Sequence, residues 1–125
     1  MPPLRWSVLM ADLDPATGHE QAGRRPVLVF SNEAFNEATE LLTVLPLTRL
    51  RQGRRPYPNE VTLPAGSAGQ PFDSLVLTFQ VRTTSRARTH ALVGRLTDGE
   101  LRMRIAEALL DHLDLTDLDL ITDDP

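Results

Sequence analysis

The sequence predicts a mainly β domain, a small barrel with helical additions, on three observations. Short apolar runs recur over residues 8–96 with turn signals between them. One of them, Pro26-Val27-Leu28-Val29-Phe30, is apolar without alternation, as in a strand buried on both faces. Only one segment, near the C-terminus, carries sustained helical periodicity. At 125 residues, 41% apolar and 24% charged, the chain is long enough to bury a core unaided and too apolar for wholesale disorder. One domain over 1–125 is expected.

Taken in order, residues 8–13 read as a strand, and Asp14-Pro15-Ala16-Thr17-Gly18 as a turn leading into a loop that ends at Gly23. The buried strand 26–30 follows. Ser31 or Asn32 is placed to cap a short helix running to residue 39, and 41–47 reads as a strand whose Pro46 suggests an edge or a bulge. Residues 49–58 form a loop. Strands are expected at 60–63 and 74–79, separated by the Gly-rich turn 64–69, and a last strand at 91–96. Thr97-Asp98-Gly99-Glu100 has capping-box spacing, with Thr97 as N-cap and Glu100 at the third helical position. Leu101, Ile105, Ala108, Leu109 and His112 then give a helix one apolar face, through about residue 113. Residues 114–125 are an acidic tail.

The net charge of −4 conceals an asymmetry. Residues 1–95 hold eleven Arg against eight acids, a balance of +3, whereas 96–125 hold two Arg against nine acids, or −7. A phosphate-binding face and an acidic C-terminal segment therefore coexist in one chain. There is no cysteine, which excludes disulfides and thiolate metal sites and favours a cytoplasmic protein. Arg5, Asp12 and Asp14 interrupt the N-terminal stretch before any apolar run reaches secretory or membrane length. Three scattered histidines offer no metal-ligand spacing, so neither a metal nor another cofactor is expected.

The chemically informative stretch is Gly18-His19-Glu20-Gln21-Ala22-Gly23-Arg24-Arg25, a glycine-flanked polar loop that feeds two arginines into the buried strand. A guanidinium at the mouth of a core strand must be solvated or paired, because an isolated buried charge costs several kcal/mol, on the order of what a domain can spare. A salt bridge with Glu20 and a bound phosphate both satisfy it, and the residues alone leave the two open. Arg49, Arg51, Arg54, Arg55 and Tyr57 form a second polar element, a basic loop with one aromatic ring. That composition suits a single nucleic-acid strand held by phosphate contacts and stacking, and equally a solvated loop.

Glu20-Gln21-Ala22-Gly23-Arg24-Arg25-Pro26-Val27-Leu28-Val29 resembles the E-Q-x-G-x-R-P-V-L-V signature of MazF/PemK toxins. Further segments resemble the family in the same order: residues 8–15, ending Asp12-Leu13-Asp14-Pro15, then Ser31-Asn32, Thr43-Val44-Leu45-Pro46-Leu47-Thr48, Asp73-Ser74-Leu75-Val76-Leu77, Gln80-Val81-Arg82-Thr83, and the helix 96–113. Coverage runs from about residue 5 to 113, and several ordered motifs are more specific than any single pattern. The chain departs from the family where Arg5-Trp6-Ser7-Val8-Leu9 stands for the usual R-G-[DE]-[IV]-[WY], and where Ser85 stands at a frequent Asp.

The resemblance implies an SH3-like barrel of the CcdB/MazF type with a C-terminal helix, and a homodimer. It also implies sequence-specific, metal-independent cleavage of single-stranded RNA or mRNA, growth inhibition by blocked translation, and a cognate MazE-like antitoxin polypeptide covering the RNA site. Carried over residue by residue, catalysis falls on Arg25 and Thr48, with Glu20 in support. RNA contacts fall on His19, Gln21, Arg49, Arg51, Arg54, Arg55, Tyr57, Gln80, Arg82, Thr83 and Arg86. Chemically the pair is apt, since RNA supplies its own nucleophile in the 2′-hydroxyl. A guanidinium donates to two phosphate oxygens at once, and a hydroxyl donates to a third. Glu20 and His19 both remain candidates for the general base, because an arginine stays protonated near neutral pH. Two other classes compete. One is a CcdB-like gyrase-directed toxin, associated with a terminal Trp, whereas the single Trp here is Trp6 and the chain ends Asp123-Asp124-Pro125. The other is a degenerate barrel that only binds RNA or peptide.

Overall fold

The computed structural model describes residues 3–116, so most of the acidic tail expected at 114–125 lies outside the described residues. Seven strands and two helices follow one another: β1 (Ser7–Asp12), β2 (Arg24–Val29), α1 (Glu33–Ala38), β3 (Leu41–Arg49), β4 (Glu60–Leu63), β5 (Ser74–Leu77), β6 (Arg82–Ser85), β7 (Thr89–Arg95) and α2 (Gly99–His112). The strands are antiparallel, in the order β4-β5-β3-β2-β1-β7, with β6 also paired to β3. The mainly β fold with a C-terminal helix is as the sequence predicts.

β2 organises the packing. Leu28 points into a core with Val8, Leu45, Leu47, Val76 and Leu96 that α2 covers with Ile105 and Leu109. Val27 and Val29 point the other way, into a second core with Leu9, Ala11, Leu13, Leu42 and Val44. All three β2 residues are fully buried, which is why the run shows no polar alternation.

The barrel does not close by hydrogen bonds among the described residues, since β4 and β7 end the strand order without pairing to each other. A backbone crossing joins the two ends instead. A Cβ added to Gly69, in the β4–β5 connection, would lie 2.2 Å from the Val93 carbonyl oxygen, and one added to Gly94 in β7 would lie 2.3 Å from that of Ala68. Only glycine admits such an approach.

Several elements differ from expectation for local reasons. Pro46 marks neither an edge nor a bulge, because β3 is central. One side of β3 pairs β2 through Val44, Leu45 and Pro46, while the other pairs β6 up to Val44 and β5 from Leu47. Pro46 falls in the gap between those two partners, where a missing N–H leaves no bond broken. The strand expected at 74–79 stops at Leu77, and Thr78–Gln80 form a 3-10 turn in which the Thr78 hydroxyl donates to the Asn59 carbonyl at 2.6 Å. β6, polar throughout, carries no strand signal of its own; its ladder to β3 and a 2.7 Å Thr43–Thr83 hydroxyl pair hold it. The N-cap of α2 is Asp98 rather than Thr97, its carboxylate accepting from the Leu101 amide at 3.0 Å, where the helix dipole favours negative charge. Asn32 caps α1, while the Ser31 hydroxyl accepts from the Thr43 amide.

The altered N-terminal motif has a structural counterpart. Trp6 has φ +71°, a left-handed conformation that glycine takes freely and other residues hold at roughly 1–2 kcal/mol. Its amide donates to Val29, its carbonyl accepts from Leu96, and its ring meets Phe30 edge-on at 5.4 Å between the guanidinium groups of Arg5 and Arg102. Glu33 ties this segment to α1 by accepting from the amides of Leu4 and Arg5 and from Asn36. Burial pushes the Glu33 carboxyl up, but the amides of Arg5 and Leu4, the Asn36 amide and the charge of Arg95 together bring it below its ordinary value.

Two predictions follow from this packing. Gly94→Ala should lower stability by about 1–3 kcal/mol through overpacking at the crossing, whereas Gly99→Ala, with open space around it, should not, as denaturant titration of both will show. Because the folded pKa of Glu33 lies below its unfolded value, its contribution is present at neutral pH and lost as acid protonates it. Glu33→Gln should therefore lower the Tm at pH 7, and the difference should narrow as pH falls below about 4.

Candidate active site

The site grows from the loop 13–23 between β1 and β2. The Leu13 amide donates to Gly23 at 2.9 Å, and the Gly23 amide to the Asp14 carboxylate at 3.0 Å, closing the loop at its base. Arg82 donates to the Leu13 carbonyl at 3.2 Å, and Arg88 donates to that of Asp14. At the tip, one side chain holds two points: Gln80 Oε1 accepts from the Gln21 amide at 2.7 Å, and Gln80 Nε2 donates to the His19 carbonyl at 3.3 Å. Glu20 accepts from the Thr17 amide at 3.2 Å. The Glu20 salt bridge considered for the strand-mouth arginines does not form. Arg24 pairs with Asp12 at 3.2 Å, and Arg25 donates from Nε to the Ala22 carbonyl at 3.1 Å. Asp12 also meets His90 at 2.8 Å, and the hydrogen bonds from His90 and then Arg24 hold its carboxyl below the usual range.

Strand register sets the two leading candidates at one end of the β2–β3 pair. The β2–β3 pairs run Val29↔Val44, Leu28↔Leu45, Val27↔Pro46. The ladder ends there: beyond it Arg25 pairs with Ala11 of β1 and Thr48 with Leu75 of β5, so each stands two residues past the last β2–β3 pair, at the same end of the two strands. Both residues are partly exposed, just past the last buried residues of their strands.

Three adjoining clefts flank this point. The first, about 420 Å³, is lined by Leu13, Thr17, His19, Glu20, Gln21, Pro46, Phe79, Gln80, Val81 and Arg82. The second, about 250 Å³, holds Thr48 with Gln21, Arg49, Arg51, Arg54, Glu60, Leu77, Phe79 and Gln80. The third, about 590 Å³, is bounded by Arg49, Leu50, Arg51, Gln52, Gly53, Arg54 and Asp73. Gln21, Phe79 and Gln80 are shared by the first two, and Arg49, Arg51 and Arg54 by the last two. The clefts thus form one trough with Thr48 in its middle section.

A buried acid shapes the basic loop. The Glu60 side chain, at 0% exposure, pairs with Arg54 at 2.8 Å and accepts from the Tyr57 amide at 2.8 Å. Glu60 raises the Arg54 pKa further still, and the Arg54 guanidinium stands 5.4 Å from the centre of the Tyr57 ring. Arg49 stacks on Phe72 at 4.8 Å. Sequence reasoning singled out neither Glu60 nor Phe79. The available signal for Glu60 was an acid at the first position of a strand, directly after an arginine loop. Of the other proposed contacts, Arg55 and Tyr57 are exposed outside the lining of the trough, and Thr83 in β6 and Arg86 in the 3-10 turn after it are not among its lining residues either. Among the described residues no group of three or more His, Cys, Asp or Glu is placed to hold a metal ion, and no helix is long and apolar enough to cross a membrane.

Residues 4–113 match the sequence profile of a family described as the PemK-like, MazF-like toxin of type II toxin–antitoxin systems. The chain belongs to that family. It is similar to the endoribonuclease MazF9 of Mycobacterium tuberculosis, with 36% identity over 89% of this chain and 96% of that protein. Among solved structures it is similar to MazF from Deinococcus radiodurans, with a TM-score of 0.74, 30% identity, and 91% of this chain and 98% of that one covered. It is also similar to a mycobacterial endoribonuclease solved in complex with its cognate antitoxin, with a TM-score of 0.74, 26% identity, and 93% and 99% covered. In this toxin the family signature spans the loop tip and the start of β2.

The pairing of Glu60 with Arg54 gives a prediction for the toxin. Arg54→Met leaves a buried carboxylate without its counter-ion and should cost about 1–3 kcal/mol in chemical denaturation, whereas Arg55→Met should stay within about 0.5 kcal/mol of the parent.

Proposed function

We propose that this toxin is a metal-independent endoribonuclease that cuts single-stranded RNA at preferred sequences by internal attack of the 2′-hydroxyl, and so blocks translation. The placement of Arg25 and Thr48 two residues beyond the last β2–β3 pair, with Thr48 lining a trough that Arg49, Arg51 and Arg54 also line, is the observation that supports it. In-line attack gathers charge on the non-bridging phosphate oxygens. The planar fork of Arg25 donates to two of them, while the Thr48 hydroxyl donates to the phosphoryl or the leaving oxygen. Arg49 and Arg51 line both the second and the third cleft and neutralise flanking phosphates. Glu20 and His19 stand at the first cleft as candidates for the proton acceptor. RNA carries its own nucleophile, so the chemistry needs alignment, proton transfer and charge stabilisation and no metal-bound water.

The partners that go with this function are a cognate antitoxin polypeptide and a second copy of the chain, acting in the cytoplasm. On the edge strand β7, Leu92 is 62% exposed, an apolar side chain that a two-fold partner would cover.

Incubation with RNA in excess EDTA, with the ends mapped, tests the function. Discrete cuts bearing 2′,3′-cyclic phosphate and 5′-hydroxyl ends are expected, and replacing the 2′-hydroxyl by hydrogen at the nucleotide 5′ of the scissile phosphate should abolish the cut without abolishing binding. Arg25→Lys should lower the rate about 100- to 1000-fold with little loss of affinity. Thr48→Ser should retain far more activity than Thr48→Val. Cleavage that survives the deoxy substitution would show that water or a side chain is the nucleophile, and the roles of Arg25 and Thr48 would fall.

A further inference from the structure

One group in the trough is left without a partner. Gln21 Oε1 is buried and makes no hydrogen bond, a condition rare enough in folded proteins to require a physical reason. The side chain lines both the first and the second cleft, and so stands where the one holding His19 and Glu20 meets the one holding Thr48. It is also held in place. The Gln21 amide donates to Gln80 Oε1 at 2.7 Å, and Gln80 reaches past it to the His19 carbonyl. Gln80 spends its own amide on the loop, while Gln21 keeps its side-chain carbonyl in reserve.

We infer that Gln21 is a base-reading residue of the toxin: its unpaired carbonyl accepts a hydrogen bond from the exocyclic amine of the nucleobase adjoining the scissile phosphate. This rests on the RNA-cleaving function proposed above. Uracil has no exocyclic amine, and its one ring donor, N3–H, is flanked by two carbonyls that repel a carbonyl acceptor, so adenine, cytosine or guanine is selected over it at that one position. Single-stranded RNA is read through such unstacked base edges. A buried acceptor built to meet a substrate N–H also discriminates strongly, because an analogue lacking the donor leaves it unpaired again. Gln80 is a positioning residue in this arrangement, since it acts through the backbone of Gln21.

The test compares the parent protein with Gln21→Met, which keeps the length of the side chain and removes the buried carbonyl. Both are incubated with a randomised RNA library and the ends are sequenced. The parent is then given its preferred sequence with one amine deleted, using purine riboside for adenosine, inosine for guanosine or zebularine for cytidine. In the parent, kcat/KM should fall roughly 5- to 150-fold at a single position. Gln21→Met should cut both substrates alike, with base preference relaxed there alone and a Tm equal to or above that of the parent. Gln21→Glu retains an acceptor and should keep the amine preference while losing overall rate to repulsion from the phosphates. An unchanged cleavage motif in Gln21→Met overturns the inference, as does a lower Tm with uniform loss on every sequence, which would place Gln21 in the fold. If the parent produces no discrete ends, the proposed nuclease function itself falls. Discrete parental ends with an unaltered motif in the variant overturn the base-reading role only.

Discussion

Burial of β2 on both faces is the constraint on which the rest of the structure depends. Leu28 on one side and Val27 and Val29 on the other belong to two separate cores, so the strand can neither slide nor flip without exposing one of them. A slip of a single residue would exchange the faces. The register with β3 is thereby locked, and with it the positions of Arg25 and Thr48 two residues beyond the last β2–β3 pair. Charge is tolerated there because the apolar cover ends at that point, where a guanidinium keeps access to water and to a phosphate.

Around this rigid centre, polar groups sort into those committed to the fold and those left for a ligand. Arg24, Arg54, Arg82 and Arg88 are bound to Asp12, Glu60, Leu13 and Asp14 and hold the loops in place. Arg49 and Arg51 form no ion pair among the described residues and face the trough. The same division holds for the glutamines, since Gln80 is spent on the loop tip and Gln21 has an atom unspent. Basic composition alone says nothing of this division, because each arginine's role depends on which carbonyl or carboxylate the fold brings within reach.

Closure of the sheet follows a similar logic. The end strands β4 and β7 are not joined by a ladder, yet the β4–β5 connection crosses β7 closely at Gly69 and Gly94. Close approach of two main chains replaces hydrogen bonding as the link between the ends of the sheet. The sequence showed Gly69 in a turn and Gly94 inside a strand without revealing that the two would meet.

By itself the sequence determined the elements whose signals are local. The continuous apolar run of β2, the three- and four-residue spacing of α2 and the ordered family motifs each depend on neighbours in the chain, and each appears in the structure. The helix 99–112 was legible because its buried face repeats on one strip, with Ile105 and Leu109 inside. Tertiary structure alone decided the features that depend on partners far away in sequence. Pro46 reads as an edge residue until β5 and β6 are seen to divide one side of β3 around it. The polar β6 becomes a strand only because β3 offers it a ladder, and Glu20 turns to the Thr17 amide while Asp12 and the Ala22 carbonyl take the arginines beside it. A hydrogen bond goes to whichever partner the fold delivers, and the pairing of distant groups is a property of packing and register that no local pattern encodes.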